Sequence, residues 1–82
     1  MTELEKLEQQ VRNLRFTAAL RIERNRRIRE TKPEKFSEFK YGKAWGSYKS
    51  LGTILGYIMK AKGEDYQEEN LIEGDETLQQ EE

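Results

Sequence analysis

Neither glycine nor proline occurs between Thr2 and Lys32, and the apolar residues in that stretch recur every three or four positions. A run this long without a helix breaker has few folds open to it except one long helix, predicted over about 3–30. Thr2 and Glu5 form a capping-box pattern at its start, which satisfies two orphan backbone donors reciprocally. At 100° per residue Leu4, Leu7, Val11, Leu14, Ala18 and Ile22 fall within an arc of roughly 80°. Their spacing follows a heptad seam that slips at its end, as in a coiled coil. The seam is the expected interface with a copy of the chain or with another protein. Phe16 and Leu20 lie on nearly the opposite side. A helix that is apolar on two sides must be covered on two sides, which the rest of one chain is not expected to manage alone.

Pro33 ends this helix, because a proline pushes the residue before it out of the α region. Thr31 and Glu34 repeat the capping-box pattern, so a short second helix is predicted over 33–41, stopping at Gly42. Leu51, Ile54, Leu55 and Ile58 then recur at helical spacing, with Ser47 as a cap and Gly63 as a stop. A third helix is therefore predicted over 47–61. A strand is the competing reading of 41–58, since Trp45, Tyr48 and Ile54 suit a sheet and four glycines interrupt the stretch. Gly42 to Gly46 and Gly52 to Gly56 match G-x-x-x-G, but neither lies in an apolar stretch of spanning length. Gly52 and Gly56 would let the first helix approach closely.

The net charge of −1 conceals a division. Residues 1–62 hold all 15 lysines and arginines against seven acids, a net +8, whereas residues 63–82 hold nine acids and no base. The predicted organisation is a basic helical domain over 1–62 and an acidic tail over 63–82. Apolar residues thin out after Gly63 to Tyr66, Leu71, Ile72 and Leu78, so the tail is expected to be disordered. The fold class expected is all-α: a long helix and a shorter one in a helical hairpin, followed by the acidic tail.

With 82 residues, 34% of them hydrophobic, the chain has room for one domain and a small core. It has no Cys and no His. Disulfides are therefore excluded, and a zinc or haem site would have to rest on carboxylates and water, so no metal and no cofactor is expected. The longest uncharged stretch, Ser50 to Met59, is too short to span a bilayer. The polar, acidic start does not resemble a secretory signal, and a cytoplasmic protein is expected. No catalytic residue stands out. Ser37, Ser47 and Ser50 have no histidine to activate them, Asp65 and Asp75 lie in the tail, and no glycine loop of Walker type precedes a helix.

Five arginines crowd residues 21–30: Arg21, Arg24, Arg26, Arg27 and Arg29. Over residues 24–30, RNRRIRE resembles the arginine-rich helical peptides that bind structured RNA. On one helix, however, these side chains point in almost every direction, so only two or three would meet one phosphate backbone. As solvated groups near a helix C-terminus they would instead favour the dipole and pair with acids. Phe36, Phe39, Tyr41, Trp45, Tyr48 and Tyr57 alternate with Lys35, Lys40, Lys43 and Lys49. Such rings can stack on bases, but in a small helical protein they more often form the core. The function expected is that of a small non-enzymatic regulator or adaptor that binds protein through a helix and self-associates, with the arginines as specificity elements. The alternative is a nucleic-acid binder that uses the same arginines, modulated by the tail.

Overall fold

The computed structural model describes residues 2–66 and 70–72. Helix α1 (Glu3–Thr31) and helix α2 (Glu38–Ala61) form an antiparallel hairpin. A 3-10 turn at Pro33–Lys35 joins them. Among the described residues there is no strand, and no helix is long and apolar enough to cross a membrane.

Local chemistry accounts for the helix ends. The Thr2 amide donates to the Glu5 carboxylate at 3.1 Å, and the Glu5 amide donates to Thr2 Oγ1 at 3.2 Å. This completes the capping box. Ser37, not Ser47, caps α2, its Oγ accepting from the Lys40 amide at 3.2 Å. The far end closes in a Schellman motif around Gly63, whose φ of 78° suits a residue without Cβ. There the Glu64 amide donates to the Met59 carbonyl at 2.9 Å, and the Gly63 amide to the Lys60 carbonyl at 3.0 Å.

One helix thus runs through 38–61 where the sequence predicts a short helix over 33–41, a break and a helix over 47–61. Gly42 and Gly46 do not interrupt it, because propensity costs only about 1 kcal/mol per glycine. Against that, Ala44 and Tyr48 are buried at helical spacing and Tyr41 and Trp45 pack beside them. Burying aromatic surface of this size outweighs two glycines.

The core has two parts. Ala18, Ala19 and Ile22 meet Ala44 and Tyr48 toward the turn, and Val11 meets Leu55, Ile58 and Met59 toward the open end. The C-terminal segment joins both. Ile72, 1% exposed, is buried in the first cluster, with Leu71 beside it. Tyr66 packs on the second, 3.6 Å from where a Gly56 Cβ would stand. Gly56 thus admits the Tyr66 ring, whereas the sequence suggests that it admits α1. Within the tail expected to be disordered, residues 67–69 and 73–82 lie outside those described.

Candidate binding surface

A stripe of α1 made of Val11, Arg15, Ala18 and Ile22 faces α2. Arg15 occupies a core position and is 1% exposed, its guanidinium carbon 4.1 Å from the centroid of the Tyr48 ring. Tyr48 begins a ladder of edge-on rings that climbs α2 through Trp45 and Tyr41 to Phe36, with centroids 5.7, 6.3 and 5.5 Å apart. Arg26 lies over Trp45 at 5.4 Å, and its Nε donates to Tyr41 Oη at 3.2 Å. Arg29 lies over Tyr41 at 5.2 Å and Phe36 at 5.7 Å. Burial pushes the Tyr41 phenol up, but hydrogen bonds with Arg26 and Trp45 and the positive charge of Arg26 and Arg29 bring it below its ordinary value. Two of the five clustered arginines, half-buried Arg26 and exposed Arg29, are therefore engaged within the chain as cation–π partners of the ring ladder.

The contact plane of the hairpin has two faces. On one, Leu71 and Ile72 lie over Trp45 and Tyr48 and Tyr66 packs on the second cluster, and a small cavity of about 160 Å³ remains between Leu71, Leu55, Phe16, Arg12 and Arg15. On the other face no described residue covers the helices. Helical register brings Leu7 and Leu14 of α1 to this open face together with Ile54 of α2. They are 45%, 57% and 44% exposed.

Nearer the turn the same face deepens into a groove of about 380 Å³. Five cations line it: Arg21 and Arg24 from α1, Lys35 from the turn, and Lys40 and Lys43 from α2. Asn25, Ser37 and Ser47 add polar groups, and no carboxylate lines it. Arg27, the remaining arginine of the cluster, is exposed away from the groove.

The expected seam is therefore divided. Val11, Ala18 and Ile22 are buried inside the hairpin, whereas Leu4, Leu7 and Leu14 are at least a third exposed. Leu4 lies beyond the end of α2, because Lys62, the residue after α2, is level with Glu8. There the Glu8 carboxylate accepts from Lys62 Nζ at 2.6 Å and from Arg12 Nε at 2.8 Å. These two bonds hold the Glu8 carboxyl below its ordinary value, and the bond that Lys62 donates to Glu8 holds Lys62 above its own.

Sequence reasoning missed Arg15 and Ile54, and it set Lys35, Lys40 and Lys43 among the rings rather than beside Arg21 and Arg24. The signals were Arg15's place in the stripe 11, 15, 18, 22 and the i,i+3 spacing of Lys40 and Lys43, which counts only if α2 is unbroken. Among the described residues no group of three or more acids could hold a metal ion. No family model matches the chain, and no curated protein or solved structure matches it.

Proposed function

We propose that the protein is a small non-enzymatic adaptor whose open face binds an acidic, amphipathic helix of another protein. The observation that carries this reading is the uncovered apolar strip of Leu7, Leu14 and Ile54, which runs into a groove whose charged lining residues are all cations. A helix laid along the strip would bury its apolar side on the leucines and set its carboxylates beside Arg21 and Arg24. Charge complementarity supports a different protein as the occupant over a second copy, whose basic groove would meet like charges.

Photo-crosslinking from position 14 tests this by identifying the segment that lies against it. The expected result is an acidic amphipathic segment whose synthetic peptide binds the wild type and not Leu7→Glu/Leu14→Glu. Both leucines are half-exposed, so that variant is expected to keep its thermal melt. A crosslinked segment without acids, or a peptide that both proteins bind equally, would contradict the proposal.

Nucleic-acid binding is the second reading, and the way the groove is assembled favours it. Arg21 and Arg24, dispersed on their own helix, are joined by three lysines from elsewhere into one basic surface. A strand backbone recognises such a surface through its phosphates.

A further inference from the structure

The basic groove has features that neither a flat charged patch nor a register of salt bridges needs. It is concave, and its cations come from three separate pieces of chain. Arg21 and Arg24 lie one turn apart on α1, Lys40 and Lys43 one turn apart on α2, and Lys35 stands at the end where the helices join. No carboxylate among the described residues pairs with any of the five. This contrasts with the open end of the hairpin, where Lys62 and Arg12 share Glu8.

Holding five like charges around one concavity raises their mutual repulsion, and a bound polyanion relieves it. The donors also differ in kind. Guanidiniums bind two oxygens side by side, ammoniums act as point charges, and the Ser47 hydroxyl and Asn25 amide add neutral hydrogen bonds. A tetrahedral group with several charged oxygens uses such a mixed set more fully than a planar carboxylate does. The volume suits a small ligand or a few linked groups.

We infer that the groove is a binding site for linked phosphates, with Arg21, Arg24, Lys35, Lys40 and Lys43 as its charged ligands. The inference rests on the surface named in the second reading, but it requires only two or three adjacent phosphates and not a polymer. Linked phosphates have two sources, a small polyphosphate or the backbone of a nucleic-acid strand, and the two are distinguished by experiment.

The test titrates the full chain with inorganic tripolyphosphate and, separately, with single-stranded RNA and DNA of mixed sequence, following amide shifts by NMR. The expected result is saturable tripolyphosphate binding, with shifts centred on residues 21–25, 35–40 and 43–47. Arg21→Gln/Arg24→Gln and Lys40→Gln/Lys43→Gln should each weaken it about tenfold or more, and Arg27→Gln should change it less than about twofold. The five substituted positions are all exposed, and circular dichroism checks that each variant stays helical.

If RNA or DNA binds tighter than tripolyphosphate through the same residues, the site stands and its source is a strand backbone. If tripolyphosphate binds and the strands do not compete, the site stands, a small polyphosphate is the source, and the nucleic-acid reading fails. No saturable tripolyphosphate binding at millimolar concentration would overturn the inference. So would equal loss in Arg27→Gln and the groove variants, or a poly-glutamate peptide that outcompetes tripolyphosphate.

Discussion

The Arg15 guanidinium stacks on the Tyr48 ring with both side chains fully buried, at 1% and 0% exposure. A guanidinium is planar and more weakly hydrated than an ammonium, so an aromatic face offsets part of its desolvation. The same tyrosine also accepts a hydrogen bond at its Oη from the Leu71 amide at 3.1 Å. One side chain thus ties α1, α2 and the C-terminal segment together.

Arg15 is therefore expected to matter for its volume as well as its charge. Arg15→Ala would leave a cavity in the first cluster and cost about 2–4 kcal/mol. Arg15→Met refills most of that volume with an apolar chain, and replacing a buried charge by a well-packed isostere costs little. Urea melts of the two variants should therefore differ, with Arg15→Met losing less than half as much stability. Equal losses would show that the charge outweighs the packing.

Two truncations separate the structural part of the C-terminal segment from its acidic part. Removing residues 64–82 takes away Tyr66, Leu71 and the buried Ile72, and should cost about 2–5 kcal/mol by exposing Trp45, Tyr48 and Ala19. Removing 73–82 takes away five acids and none of these contacts, so the melting temperature should hardly move. At low salt the shorter cut should tighten tripolyphosphate binding severalfold, because linked opposite charges compete at high effective concentration. The gain should shrink at high salt. Equal destabilisation by both cuts would contradict this division.

Gly42 and Gly46 offer a test of how α2 holds together. A Cβ added at either position would meet nothing within 4 Å, so neither glycine is required by packing. Gly42→Ala/Gly46→Ala should stabilise the protein by about 1–2 kcal/mol through helix propensity and a less flexible unfolded chain. A drop in melting temperature would mean that the helix is not continuous there.

The Glu8 cluster contributes to the acid limb of stability. The folded value of Glu8 lies below its ordinary 4.5, so its contribution is full above 4.5 and is lost as pH falls through the folded value. Lys62 is held above its ordinary 10.5, so its contribution is full below 10.5 and is lost as pH rises through its folded value. Near neutrality both act at full strength. Glu8→Gln should melt earlier than the wild type at pH 7, and the gap should close as acid protonates Glu8. A gap that persists at the acid end would assign the loss to packing.

The ends of the hairpin were the most legible part of the sequence, because capping is local. Thr2 with Glu5 and Gly63 as a stop are read from neighbours within a turn. The start of α2 was not legible, because Gly42 and Gly46 weigh against a helix until Tyr48, Ala44 and Trp45 are seen packing on α1. The seam misled in part, because a stripe of apolar residues omits Arg15, which sits at its centre. With Arg15 restored, Val11, Ala18 and Ile22 belong to the inside and Leu7 and Leu14 to its flank. Tyr66, Leu71 and Ile72 look too sparse to form a core, yet a segment that docks on two helices needs no core of its own. The groove needs both helices at once, so the arginine dispersal visible on α1 alone hid it.

We propose the open face, and not the outer face of α1, as the binding surface. Leu14 and Leu20 are exposed to similar extents, 57% and 51%, but lie on different sides of α1. The most direct measurement is the affinity of Leu14→Glu and of Leu20→Glu for the peptide recovered by crosslinking from position 14. A charge placed on the strip should weaken binding about tenfold or more, whereas the same charge at position 20 should change it less than about twofold. Equal losses from the two substitutions, or a loss only from Leu20→Glu, would contradict the account.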